Sequence, residues 1–169
     1  MPATCSFEGY EVSPQALAVA TSHQRPRLTY HLQDITRLKC KPVDLIVVMD
    51  VIEHVEDYMS FLRSVRERGE WKIFHVPLDI TIQGVLRNSL LTGWDNVGHI
   101  HAFTKDIALR AITHTGYDIV DYFYTDKTES AHCNRRMRVA GIPRRIVFGL
   151  HNDLCVRLLG GYSLLVLAR

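Results

Sequence analysis

Three carboxylates stand where strand-like runs give out: Glu11 in residues 6–12 (SFEGYEV), Asp34 in 28–35 (LTYHLQDI) and Asp50 in 44–52 (DLIVVMDVI). In open α/β sheets ligands bind at the carboxyl ends of the strands, so charged residues there outweigh charged residues elsewhere. A carboxylate at the end of a strand that precedes a helix accepts two hydrogen bonds from a ribose diol, and a second takes an adenine amino proton. The pattern suits an adenosine-containing ligand. The competing reading is that each is a solvated strand end or helix-start charge, where carboxylates are common.

Glu53-His54 follows Asp50 directly, and His75, His99 and His101 come later. Imidazole titrates near neutrality, so any of these can remove the proton of an acceptor hydroxyl; a loop histidine bonded to backbone is the bland alternative. His54 is the best placed, because it follows the strand that would end at the ligand. His99-Ile100-His101 invites a metal reading. No carboxylate or cysteine completes a third ligand at a usual spacing, and GHIHAFT lacks the HxHxDH and HxHxH patterns, so no metal is expected. Cys5, Cys40, Cys133 and Cys155 are scattered without a CxxC pair and read as free thiols.

These side chains need strands and helices to hold them. Ser13-Pro14 is a helix cap with proline at the first helical position, followed by QALAVAT. The nearly continuous apolar run 44–52 predicts a central parallel strand covered on both faces. Tyr58, Phe61, Leu62 and Val65 recur at helical spacing and stop before Gly69; residues 72–76 predict a fourth strand ended by Pro77. A short helix is expected within 81–92, a loop over 93–101, and a helix from its Thr104 cap to Gly116. Residues 117–125 and 163–168 predict two more strands, and between them Val147, Leu150, Leu154 and Leu158 form one helical stripe. Alternating strands and helices predict an α/β layered sheet.

At 169 residues with 47% apolar content, the chain fits one domain, expected to span residues 1–169. Twenty basic against eighteen acidic side chains leave a net charge of +2, which gives no support to nucleic-acid binding. The start has no basic-then-apolar leader pattern and no apolar run approaches the roughly 18 residues of a membrane span, so cytoplasm is the expected location. Arg135, Arg136, Arg138, Arg144 and Arg145 form a basic run without interleaved aromatics, read as a solvated face. The leucine stripe is read as core packing.

GYEVSPQAL, LQDI, VDLIVVMDVIEHVEDY, WKIFHVPLD, GHIHAFTKD, TGYDIVDYFY and GGYSLLVLAR resemble, in order and spacing, successive blocks of the class I S-adenosylmethionine-dependent methyltransferases. DVIEHVED is similar to the type-11/type-23 small-molecule branch. The resemblance implies a Rossmann-like sheet, mostly parallel with an antiparallel C-terminal strand, and S-adenosylmethionine as cofactor. It implies that Glu11 binds the cofactor ribose, Asp34 with Ile35 flanks the adenine, and Asp50 with Val51 lines the methionine portion. Glu53, His75 and Phe103 would face the methyl acceptor, with His54, His99 and His101 as candidate catalytic bases.

The chain departs from the family in one respect. The family begins with a strand and a glycine-rich (D/E)xGxGxG loop that lets the backbone approach the cofactor. Residues 6–12 already resemble the family's second strand, so the first strand, its loop and its helix have no counterpart here. In the family's strand order, 3-2-1-4-5-7-6, that strand is central. Its neighbours would then pair directly, be joined by another chain, or belong to an incomplete copy of a longer protein, which is the expectation preferred. Two functions follow from the resemblance: methyl transfer to a small-molecule acceptor, or a non-catalytic remnant acting as an interaction or oligomerisation module, with a homo-oligomer as one form.

Overall fold

The computed structural model describes residues 5–38, 42–126 and 144–169, in two compact units, Met1–Lys41 and Pro42–Arg169. Cys40, Cys133, Arg135, Arg136 and Arg138 lie outside the described residues.

In the first unit, β1 (Phe7–Glu11) pairs in parallel with β2 (Leu28–Leu32), with Phe7 opposite Leu28 and Glu11 opposite Leu32. Between them runs α1 (Pro14–Thr21), where Ser13 caps the helix by accepting the Ala16 N–H. The second strand is shorter than 28–35. Asp34 leaves the extended run to cap a 3-10 turn at Ile35–Arg37, as a short carboxylate beside free backbone N–H groups tends to do.

The second unit holds a four-stranded sheet in the order β3-β4-β6-β5: β3 (Val43–Met49), β4 (Gly69–Pro77), β5 (Ile119–Asp126) and β6 (Tyr162–Ala168). β3 and β4 are parallel, while β6 runs against both β4 and β5. This is the 4-5-7-6 portion of the expected order with its one reversed strand. The helices are α2 (Tyr58–Arg66), α3 (Ile82–Leu86), α4 (Ser89–Val97), α5 (Lys105–His114) and α6 (Asn152–Leu159), with residues 144–150 also helical. None among the described residues is long and apolar enough to cross a membrane.

One face of this sheet is packed. Ile46, Val48, Phe74, Val76, Leu164, Val166 and Ala168 join Leu62 and Val65 of α2 and Ala108, Ala111 and Ile112 of α5 in a single buried cluster. The expectation that β3 is covered on both faces is corrected: it is an edge strand, and Val43, Leu45, Val47 and Met49 are exposed. Apolar residues on both faces of a strand mark what it can bury, and the alternation shows which half is buried here.

Other boundaries moved for local reasons. Gly69 begins β4 instead of ending α2, at a place where a Cβ would press on Ile46 Cγ1 at 3.0 Å and the Val43 carbonyl at 3.1 Å. The loop expected over 93–101 is partly helix. α4 continues to Val97, and Gly98, at φ 80°, is its C-terminal cap. Asn88, at φ 55°, separates α3 from α4.

The leucine stripe is also corrected. Leu150 is 83% exposed and Leu154 47%, and α6 buries Cys155 and Val156 instead, because His151 interrupts the helix and changes its phase. Arg144 and Arg145 do not form a purely solvated face. Both pair with Asp126 at 2.9 Å, and Arg144 lies over the Tyr162 ring.

Asp153 of α6 accepts from Lys105 of α5 and Tyr124 of β5, and these hydrogen bonds hold its carboxyl below its ordinary value. A carboxyl whose folded pKa is lowered stabilises above its unfolded pKa of about 3.9 and loses that contribution as pH falls through the folded value. Asp153→Asn therefore lowers Tm at pH 7, and the gap to the parent narrows as the pH falls below about 3.9, in thermal melts followed by circular dichroism.

Candidate functional site

β3 stops because the backbone turns left-handed at Asp50, φ 50°, one residue past the last β3–β4 pair, Met49 opposite His75. The Asp50 N–H donates to the His75 carbonyl at 3.1 Å. Its Oδ1 accepts from His75 Nδ1 at 2.8 Å, and His75 Nε2 meets Thr125 Oγ1 at 2.9 Å. Both nitrogens of His75 are thus engaged, tying the ends of β3, β4 and β5.

The chain then makes a tight turn in which the His54 N–H donates to the Val51 carbonyl at 3.0 Å. Glu53 lies at its centre, wholly buried, and among the described residues neither carboxylate oxygen has a hydrogen-bond partner. Burial pushes its carboxyl pKa up and the negative charge of Asp50 adds to this, while the nearby Glu53 N–H, His54 and His99 oppose it. The His101 N–H donates to the Glu53 carbonyl at 3.0 Å, fastening the segment after α4 to this turn.

The histidines are oriented by their second nitrogens. His54 Nδ1 is 2.9 Å from the Gly98 carbonyl; a carbonyl only accepts, so Nδ1 carries the hydrogen. In the neutral ring Nε2 then holds the lone pair, 4.0 Å from Glu53 Oε1. His99 Nδ1 donates to Asp79 Oδ2 at 2.8 Å, and its ring meets the His54 ring edge-on with centroids 4.9 Å apart. His101 is set differently: its Nε2 donates to the Glu56 carbonyl at 3.1 Å, and its ring abuts Tyr58. Phe103 is closed off from solvent, with its ring edge against Tyr58.

In the first unit, Glu11 Oε1 accepts from the N–H groups of Val12 and Ser13 at 2.8 and 2.9 Å. No hydrogen bond among the described residues uses its Oε2. Asp34 Oδ1 accepts from the Thr36 N–H and hydroxyl, which lowers its pKa, and Asp34 Oδ2 pairs with Arg37; Ile35 opens the 3-10 turn.

Chemically, the second unit gathers a buried unpartnered carboxylate and two imidazoles with fixed tautomers at the carboxyl end of β3. Sequence reasoning missed Gly98 and Asp79, which orient His54 and His99, and Thr125, which meets His75. Asp79, shortly after the end of β4, obeyed the strand-end rule already applied to Asp50.

A family model described as a methyltransferase domain matches residues 2–67. Among solved structures, an S-adenosylmethionine-dependent methyltransferase from Mesorhizobium loti is 20% identical, with TM-score 0.60, covering 97% of this chain and 80% of that one. The magnesium protoporphyrin IX methyltransferase of Synechocystis is 13% identical, with TM-score 0.59, covering 97% of this chain and 63% of that one. The chain shares the fold of these methyltransferases. An N-methyltransferase from Bradyrhizobium japonicum matches at 14% identity and TM-score 0.57, over 97% of this chain and 66% of that one. No curated protein sequence matches significantly.

The left-handed Asp50 is the most constrained backbone position of the site. Asp and Gly tolerate this conformation, whereas a β-branched residue does not. Asp50→Val is expected to cost about 1–3 kcal/mol in urea unfolding, and Asp50→Gly distinctly less.

Proposed function

We propose that this chain takes part in S-adenosylmethionine-dependent methyl transfer to a small-molecule acceptor. The observation that carries the reading is the sheet order β3-β4-β6-β5 with β6 reversed, which puts Asp50, Glu53 and His54 at the carboxyl end of β3. When bound, the cofactor supplies a methyl group on a positively charged sulfur, and the protein supplies position, desolvation and a base.

Residue by residue, the free Oε2 of Glu11 suits a ribose hydroxyl. Asp34 and Ile35 would flank the adenine, and Asp50 and Val51 the methionine portion. For the acceptor, His54 is the preferred base: its Nδ1–H is held by Gly98, Nε2 is left basic, and its side chain is 38% exposed. His99, fixed by Asp79, is the alternative base, and His101 follows. Glu53, His75 and Phe103 would shape the acceptor side from beneath, given their burial and existing bonds.

A second reading is favoured by the exposed Val43, Leu45, Val47 and Met49 on the edge strand β3. Unpaired edges with apolar side chains invite pairing with another chain, as an interaction or oligomerisation module would use them.

Calorimetry with S-adenosylhomocysteine decides the first reading. Saturable binding is expected, weakened about tenfold to a hundredfold by Glu11→Ala, the usual cost of losing a hydrogen bond to a charged group. A folded chain that gives no heat at millimolar ligand would remove the cofactor role. Light scattering addresses the second reading: a strict monomer at high concentration counts against it.

A further inference from the structure

We infer that Glu53, His54 and His99 form a binding site for one divalent transition-metal ion of the zinc class. This goes beyond methyl transfer and needs neither cofactor nor acceptor to be true; a bound ion would take the Nε2 lone pairs of His54 and His99 and so replace their role as bases.

The first observation is the cluster itself: one ligand-type atom from each of the three residues lies within 4.8 Å of the others. Tetrahedral bonds of about 2.0–2.1 Å to nitrogen and oxygen put ligand atoms about 3.4 Å apart. Rotations moving each side chain inward by several tenths of an ångström would close the cluster. Glu53 Oε1 and His54 Nε2, at 4.0 Å, need the least.

The second observation is independent. Glu53 is fully buried with both oxygens unpartnered among the described residues, which is unfavourable for a carboxylate unless a charge meets it. A divalent cation supplies that charge. Asp50 adds negative potential from the same turn, while among the described residues no Lys or Arg acts on Glu53 as an electrostatic partner.

The third observation is tautomer control. A ligating histidine donates its other ring N–H to a carboxylate or a backbone carbonyl, which fixes the ring and raises the basicity of the ligating nitrogen. His99 donates Nδ1–H to Asp79 and His54 donates Nδ1–H to Gly98, leaving the Nε2 lone pair on each ring. His101 is the internal contrast, since its Nε2 is already committed to the Glu56 carbonyl. Two imidazoles and one carboxylate make a donor set for Zn²⁺ or Fe²⁺ that leaves at least one position open to water or another oxygen. The half-exposed His54 ring gives the ion a way in. Residue spacing pairs His99 with His101 and offers no third ligand; the fold instead brings His99 together with His54 and Glu53 of the turn after β3.

The test uses the full chain, stripped with EDTA and desalted. Co²⁺ serves as the spectroscopic probe, and Zn²⁺ is titrated against a chromogenic chelator. One equivalent of Co²⁺ is expected to bind with visible ligand-field bands and to be displaced by Zn²⁺. Proton NMR of the Co²⁺ form should show two hyperfine-shifted exchangeable signals, from Nδ1–H of His54 and His99. Glu53→Gln and His54→Ala should each weaken binding at least tenfold, and Asp79→Asn about tenfold to a hundredfold with all three ligands in place. The exposed His114→Ala should leave it unchanged. His54 is partly exposed, so His54→Ala gives a readout even where Glu53→Gln does not fold. A folded parent with no saturable Co²⁺ binding at millimolar concentration overturns the inference. So does His54→Ala binding as tightly as the parent, or His114→Ala losing as much.

Discussion

The reversal of the backbone at Asp50 is the constraint on which the second unit's chemistry depends. Parallel pairing carries β3 alongside β4 as far as Met49 and His75, and the left-handed φ of 50° at Asp50 then ends the strand abruptly. An L-residue pays for that conformation in strain, and Asp tolerates it better than a branched residue does. Two contacts with His75, one from the Asp50 N–H and one to its carboxylate, hold the reversal against the neighbouring strand. Because the chain leaves the strand here, the alternation of side chains ends too. Adjacent residues Glu53 and His54 then approach a common point, which neither a strand nor a helix allows for neighbours in sequence.

Burial of Glu53 follows from the same turn. Its carbonyl accepts from the His101 N–H, which ties the segment after α4 to the turn, and the carboxylate lies out of water. The Gly98 cap makes this possible. Its φ of 80° ends α4 and brings its carbonyl to His54 Nδ1, and His99 follows directly with its ring bonded to Asp79. Three separate segments therefore meet through backbone groups and ring nitrogens, and little of the geometry rests on flexible exposed side chains.

Much of the fold was legible because its signals are local. Ser13 and Thr104 each cap the start of a helix through the expected side chain, with Pro14 at the first helical position. The order of strands came from the sequence blocks, and the observed β3-β4-β6-β5 order matches that resemblance. Where the reading failed, nonlocal facts decided. The glycine at 69 opens a strand paired with Val43, where Ile46 and Val43 of the adjacent strand leave no room for a Cβ. Gly93 sits inside α4, and the true terminator is Gly98, with the left-handed φ that caps such helices. At the candidate site, His54 and His99 were readable as residue types. That Glu53 would join them was not, since only the contact between the turn after β3 and the segment after α4 brings the three together.

The edge strand explains a further asymmetry. Ile46 and Val48 lie in the core while Val43, Leu45, Val47 and Met49 remain exposed, so β3 carries apolar side chains on both faces and buries one. An exposed strand of this kind is held by its ladder to β4 and by half of its side chains. The chemistry at its carboxyl end is anchored from the packed side: Val48 and Ile52 are buried on either side of Asp50, and Phe103 closes the core where the His101 segment arrives. Whatever meets the bare half of β3 would therefore add stability to the strand without needing to reposition Glu53, His54 or His99. Their partners, Gly98, Asp79 and the His101 N–H, all belong to segments that follow β4. Edge and site can in this way respond to different partners, because the interactions that hold each are carried by different parts of the chain.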